Sequence, residues 1–167
     1  LELVAKSNNF DLTLFTTGMH MLVKYGYTYE EVKYNFPESV YGFVNQNHAN
    51  NLEEILAKTI TGLLNLIHEK NPDLIVVHGD RIEALAGAIV GSLNHILVAH
   101  IEGGEVSGTI DDSIRHVISK FSHLHFVSNE ASKKRLSDMG ENKKSIFVIG
   151  SPEFDAMTSA LPPLSLV

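Results

Sequence analysis

The sequence has no cysteine, so neither a disulfide framework nor a thiolate metal site is available, which suits a cytoplasmic compartment. No apolar run approaches the ~20 residues that span a bilayer, and no basic-then-apolar stretch of the secretory kind is present. A membrane partner is not expected. Basic residues are in the minority, 13 against 20 acidic, for a formal net charge of −7. Phosphate-backbone recognition calls for a basic stripe, so a nucleic-acid partner is excluded. There is no internal repeat and no low-complexity segment. The common chemical fingerprints are missing as well. No G-x-G-x-x-G follows a strand, and there is no G-x-x-x-x-G-K-[ST] loop. The nine histidines lack the H-E-x-x-H spacing of a zinc helix, and no serine sits in a G-x-S-x-G elbow. No cofactor and no metal are therefore expected.

What the sequence does have is alternation. At 167 residues, 44% of them hydrophobic, the chain can bury a substantial core. FDLTLFTTG (Phe10–Gly18) reads as a strand, and Thr28 followed by Glu30 and Glu31 reads as a helix start. VYGFV (Val40–Val44) is a further strand candidate. Asn50 or Asn51 caps a helix along which Leu52, Ile55, Leu56, Ile60, Leu63, Leu64 and Ile67 recur at helical spacing. Pro72 closes it. DLIVVHGD (Asp73–Asp80) has the continuous apolar character of a parallel strand buried on both faces. RIEALAGAIVGSLN, HILVAHIEGG, DDSIRHVISKFS, HLHFVS, NEASKKRLSDMG and SIFVIG then continue the pattern of helix and strand. Such alternation specifies an α/β fold, a doubly wound parallel sheet of the Rossmann-like kind.

In such a sheet, ligands bind beyond the carboxyl ends of the strands. The residues there are His20 in TTGMH; His78, Asp80 and Arg81 in HGDR; His100, Glu102 and Glu105 in HIEGGE; Asn129 and Glu130; and Ser151, Glu153 and Asp155 in GSPEFD. Ordinary structural duties compete for several of them. Asp80 stands where it could cap the helix that starts at Arg81, and Asp111 or Asp112 could cap DSIRHVISK. Arg115, three and four residues after Asp112 and Asp111, has a within-helix ion pair as its default. His78 and His100 are expected to bond neighbouring backbone rather than metal. His123 and His125 alternate on a strand, one buried and one exposed. Glu102 is different, because an unpaired carboxylate directly after LVAHI would be costly. Carboxylates gathered near Arg and His in a partly dry cleft suit proton transfer at carbon, since their environments can separate acid from base.

Read together, TTGMH with YGYTYEEV, PDLIVVHGDR followed by EALAGA, and HIEGGEVSGTIDDSIRH resemble the UDP-N-acetylglucosamine 2-epimerases, the hydrolysing branch in particular. ISKFSHLHFVSNE and the MGE and IGSPEFD segments extend the resemblance over essentially the whole chain. It implies one half of a two-domain fold of the glycosyltransferase-B type. It also implies conversion of UDP-N-acetylglucosamine to N-acetylmannosamine and UDP for sialic-acid and capsule synthesis, by anti elimination of UDP and hydration of a glycal, without metal or nicotinamide. The family's acidic trio falls on Asp80, Glu102 and Asp111, while Arg81, Arg115 and His20 match positions lining the sugar–diphosphate site. A homo-oligomer, dimer or tetramer, is expected, with the apolar helix Asn51–Lys70 as candidate surface. The chain begins at Leu1 without methionine and ends in ALPPLSLV. It is therefore expected to be part of a longer protein. Residues 1–158 would form the N-terminal domain without its first strand, and 159–167 the start of an interdomain link, with the second domain outside the chain. Two rivals stay open: a hydrolysing epimerase acting on a UDP-diacetamido-trideoxy sugar, and a sugar-nucleotide binding module without turnover.

Overall fold

The computed structural model describes residues 1–47 and 49–160. The chain divides at Pro72 into two compact units, Leu1–Pro72 and the segment from Asp73 onward. The expected link at 159–167 lies outside the described residues from 161 on.

The first unit holds α1 (Glu2–Ala5), β1 (Leu14–Thr16), α2 (Tyr29–Asn35), β2 (Val40–Gly42) and α3 (Leu52–Lys70). Both strands are shorter than their apolar runs; Phe10, at the start of the first run, is exposed. β1 and β2 pair in parallel, Leu14 opposite Val40 and Thr16 opposite Gly42. The TTG turn after β1 is fastened by side chains. The Thr17 hydroxyl donates to the Phe43 carbonyl at 2.7 Å, and the Gly18 amide donates to Asn45 Oδ1 at 3.0 Å. Asn45 Nδ2 in turn donates to Thr59 Oγ1 on α3 at 2.8 Å. Asn45 and Thr59 are buried, so each amide and hydroxyl here needs its partner. The buried stripe of α3 is Ile55, Thr59, Gly62, Leu63, Leu66 and Ile67. It is rotated from the leucine-rich face read in the sequence: Leu52 is exposed, and Gly62 is buried beneath the Phe43 ring. Asn51 occupies the N-cap position without a side-chain bond, whereas Asn50 Nδ2 donates to Glu54.

The second unit continues through β3 (Leu74–His78), α4 (Ile82–Leu93), β4 (Leu97–Ile101), α5 (Ile110–Lys120), β5 (Leu124–Val127), α6 (Glu130–Asp138), β6 (Ile146–Val148) and α7 (Pro152–Ala160). Its four strands are parallel in the order β3-β4-β5-β6. Every strand is thus parallel and every crossover helical, as the alternation requires. The ladders nevertheless form two sheets, one in each unit.

The core lies between the sheet and its helices, with Val77, Ala88, Val98 and Ile118 as one cluster and Val127, Leu136 and Ile146 as another. Small residues let α4 approach closely, since a Cβ on Gly87 would lie 2.8 Å from Val77. β4, with neighbours on both sides, is the most buried strand: Val98, Ala99 and His100 are each 0% exposed. β3 departs from the expectation of burial on both faces. It is an edge strand that turns Ile75 and Val77 toward α4 and leaves Val76 56% exposed. An apolar run reports strand propensity; the number of covering layers is a tertiary matter.

Candidate active site

Strand ends of the second unit bring His78, Asp80, Glu102 and Ser151 to one edge of the sheet. β3 ends at His78 and turns through Gly79 at φ +72°, where the amide donates to the Ile101 carbonyl at 3.0 Å. A buried ring secures the other side of that peptide. His100 Nε2 lies 2.8 Å from the Gly79 carbonyl, and its Nδ1 lies 2.9 Å from Ser119 Oγ on α5. Since a carbonyl can only accept, Nε2 carries the proton. Burial lowers the His100 pKa to about 4, against the raising effect of the Gly79 hydrogen bond, so the ring is neutral near pH 7. His100 bonds backbone, as expected; His78 instead bonds a carboxylate.

Asp80 does not cap α4. The cap position is held by Arg81, without a side-chain bond, and the Asp80 carboxylate receives Arg115 Nη2 from α5. Arg115 Nη1 lies 3.7 Å from Glu105, whose carboxylate also accepts the Ser128 hydroxyl. Arg115 therefore crosses between strand ends instead of forming the within-helix pair its spacing favoured. Its side chain is only 12% exposed. One cation shared by two carboxylates satisfies the charge that the burial of each would otherwise leave uncompensated.

The helix start of α5 explains why Asp112 is not available to Arg115. Thr109 is the N-cap, its hydroxyl accepting from the Asp111 amide at 3.2 Å. Asp112 accepts the Ser107 amide at 2.6 Å, the Ser107 hydroxyl at 2.9 Å and the Gly108 amide at 2.8 Å. The Ser107 amide is the main cause that holds the Asp112 pKa below its ordinary value. Of the neighbouring pair, Asp112 fastens the loop. Asp111 is exposed, and among the described residues its carboxylate accepts only the Thr109 hydroxyl, at 3.0 Å. No bond joins it to Asp80 or Glu102.

Glu102 follows β4 with φ +62°, a left-handed conformation uncommon outside glycine. Its amide donates to the Phe126 carbonyl at 2.8 Å. Its carboxylate is gripped on both oxygens: His78 Nε2 lies 2.9 Å from Oε2, and the Ser151 hydroxyl donates to Oε1 at 3.1 Å. The two glycines that follow have a steric reason. A Cβ on Gly103 would lie 2.8 Å from both His100 Nδ1 and Ser119 Oγ, and one on Gly104, at φ +78°, would lie 2.6 Å from the Ser132 carbonyl oxygen. Arg135 Nη1 also donates to the Gly104 carbonyl. The HIEGG segment is therefore a close-packed turn that presents one carboxylate.

His78, Glu102 and Glu153 bring an imidazole nitrogen and two carboxylates within 4.8 Å of one another, a group that could hold a metal ion. That grouping, the Ser151 contact and the Arg115–Glu105 pair escaped the sequence reading. Their only sequence signal is that His78 ends a strand and that Glu102, Glu105, Ser151 and Glu153 follow one. Arg81 Nε lies 3.5 Å from Glu83, and its side chain is 54% exposed. His20 belongs to the first unit, where its Nδ1 lies 2.7 Å from Thr28 Oγ1, so this hydroxyl does not cap α2. His123 is exposed and accepts the Val98 amide, whereas His125 is buried, as the alternation indicated.

Chemically, the edge combines one clamped carboxylate, two carboxylates that share a guanidinium, one exposed carboxylate, one half-exposed imidazole and a second guanidinium. Comparison with known proteins gives this set a context. Residues 2–165 match a family model described as UDP-N-acetylglucosamine 2-epimerase. The chain is 49% identical over 163 residues to a "UDP-N-acetylglucosamine 2-epimerase" of Neisseria meningitidis serogroup B, covering 98% of this chain and 43% of that protein. It is 41% identical over 159 residues to a "UDP-N,N'-diacetylbacillosamine 2-epimerase (hydrolyzing)" of Legionella pneumophila, covering 93% of this chain and 42% of the relative. Among solved structures, a Methanocaldococcus jannaschii UDP-GlcNAc 2-epimerase in complex with UDP-GlcNAc and UDP superposes with a TM-score of 0.83 at 27% identity, over 95% of this chain and 44% of that one. This chain thus spans less than half the length of these relatives.

Proposed function

The chain belongs to the UDP-N-acetylglucosamine 2-epimerase family, and from that premise we propose that the full-length protein is a hydrolysing UDP-N-acetylglucosamine 2-epimerase. In this reading the chain is the first of two Rossmann-like halves, acting in the cytoplasm on a UDP-sugar, and the N-acetylmannosamine it makes feeds sialic-acid synthesis. The observation that carries the reading is Glu102. A carboxylate oriented by two side chains at the mouth of a sheet, with Asp80 after the neighbouring strand and Arg115 reaching Asp80 from α5, is a group prepared for proton transfer.

The reaction divides into two halves. A carboxylate takes the proton from carbon 2 while the bond from carbon 1 to the phosphate oxygen breaks. UDP departs with the electron pair, and carbons 1 and 2 become a double bond. Water then adds its hydroxyl to carbon 1 while a carboxylate takes the proton that water gives up, and a protonated carboxyl returns a proton to the opposite face of carbon 2. Asp80, Glu102 and Asp111 share the acid and base roles. Charge accumulating on the departing diphosphate calls for a cation. Arg115 is already engaged by Asp80 and Glu105, so Arg81, exposed and held only at 3.5 Å by Glu83, is the better placed of the two guanidiniums.

Proton NMR of the full-length protein with UDP-N-acetylglucosamine tests this. Free UDP and N-acetylmannosamine are the expected products; UDP-N-acetylmannosamine without free UDP would contradict hydrolysis. A second reading is favoured by the Legionella relative, whose name specifies a diacetylated substrate. Under that reading, UDP-N,N'-diacetylbacillosamine would turn over and UDP-N-acetylglucosamine would not.

A further inference from the structure

We propose that Glu105 is a positioning residue: acting only through Arg115, it fixes the orientation of the Asp80 carboxylate. The inference rests on the functional reading above, in which Asp80 is one of the catalytic carboxylates.

The two carboxylates that share Arg115 are held unequally. Glu105 uses both its oxygens on the protein. Oε1 accepts the Ser128 hydroxyl, and Oε2 lies 3.7 Å from Arg115 Nη1. Asp80 uses one. Its Oδ2 accepts from Arg115 Nη2, and its Oδ1 makes no hydrogen bond among the described residues. The fully engaged carboxylate is thus the anchor, and the half-engaged one keeps an oxygen for chemistry.

The anchor is itself tied to α6. Asn129, the N-cap of that helix, accepts the Ser132 amide at 2.9 Å and donates from Nδ2 to the Ser128 hydroxyl oxygen at 3.3 Å. The same hydroxyl donates onward to Glu105. Arg135 of α6 donates to the carbonyl of Gly104, the residue before Glu105. Both the side chain of Glu105 and the peptide that precedes it are therefore fastened to one helix. Arg115 Nε is buried and has no hydrogen-bond partner, so the guanidinium is held through its two terminal nitrogens. Without the charge of Glu105 one of those ends is free, and the guanidinium can turn about its contact with Asp80 and carry that carboxylate with it. Misplacing a reacting group by about 1 Å slows the chemical step, and substrate binding need not weaken with it.

Glu105→Gln in the full-length protein keeps an oxygen for Ser128 and removes the charge that faces Arg115. Because Glu105 is 33% exposed, the fold should tolerate the change. The kcat for UDP release is expected to fall about tenfold, with KM for UDP-N-acetylglucosamine and inhibition by UDP within about twofold of the unsubstituted enzyme. Ser128→Ala should lower kcat about threefold. The double variant should be no slower than Glu105→Gln alone, because the hydroxyl works through the carboxylate. An unchanged kcat in Glu105→Gln would overturn the proposal. So would a rise in KM alone, single effects that multiply in the double variant, or a loss of about 10³-fold, which would make Glu105 an acid or base in its own right. If the unsubstituted protein releases no UDP, or if Asp80→Asn turns over normally, the functional reading falls and the positioning role with it. Turnover by the first and its loss in the second confine any failure to Glu105.

Discussion

The two edges of the four-stranded sheet carry similar residues and use them differently. At the amino edge, Lys120 donates to Glu141 Oε1 at 2.6 Å and to the Met139 carbonyl at 3.2 Å, while the buried His125 lies 3.4 Å from Glu141 Oε2. Burial is the main cause lowering the His125 pKa, with Glu141 working against it. Here a cation, a carboxylate and a histidine face one another and tie α5 to the turn after α6, while His125 Nδ1 is buried without a hydrogen-bond partner among the described residues. At the carboxyl edge, Arg115 answers two carboxylates, but among the described residues the Glu102 carboxylate is held only by a half-exposed imidazole and a hydroxyl, on a left-handed backbone conformation. Charge compensation stabilises structure; incomplete compensation, held in place by packing, leaves a group able to react. The contrast accords with strained and polar features collecting at functional sites.

The largest effect is expected from Glu102→Gln, which keeps the shape of the carboxyl-edge network and removes its acid. In the full-length protein, kcat should drop about 10³-fold, measured as UDP release, with the melting temperature little changed. Next comes Arg115→Met, which strands Asp80 and Glu105 together. Because these side chains are partly exposed, about 1–3 kcal/mol of stability should be lost, read from urea unfolding, and turnover should fall with it.

His100 gives an expectation in pH. Its folded pKa is depressed to about 4 from 6.5, so below pH 6.5 the unfolded chain binds the proton more readily. Stability should be full above about pH 6.5 and decline as pH falls toward about 4, by about 3 kcal/mol at the lower end. His125, also lowered, adds to the same slope. Urea titrations of wild type and His100→Asn across pH 4–8 would check it, the variant being less stable at neutral pH and flatter in slope. The smallest effect belongs to the amino edge. Glu141→Gln should cost about 1 kcal/mol in the same assay and leave kcat as it was; a large loss of turnover would erase the distinction between the edges.

Much of this organisation is written in the sequence. Buried parallel strands announce themselves as apolar runs, and the rule that ligands meet the carboxyl ends of strands selects Asp80 and Glu102 before any coordinates are seen. The partnerships are less legible. Arg115 sits within one helical turn of Asp111 and Asp112, yet its partner Asp80 lies 35 residues earlier, and local spacing carries no information about an ion pair made across strands. The same limit hid Ser151, which reaches Glu102 from 49 residues away. Capping misled for a related reason. Asp112 and Thr109 are both good cap residues, and only the path of the Ser107–Gly108 turn determines that threonine caps while aspartate gathers the upstream amides. The exposed edge of β3 was invisible because side-chain chemistry does not count neighbouring layers.

The most direct measurement follows carbon 2 itself. The full-length protein and its Glu102→Gln and Glu141→Gln variants would be incubated with UDP-N-acetylglucosamine in deuterated water and the products examined by proton NMR. If the carboxyl edge holds the acid–base machinery, the unsubstituted protein and Glu141→Gln yield N-acetylmannosamine carrying deuterium at carbon 2, and Glu102→Gln yields almost none. Undiminished deuterium incorporation by Glu102→Gln, or its loss in Glu141→Gln, would contradict the account.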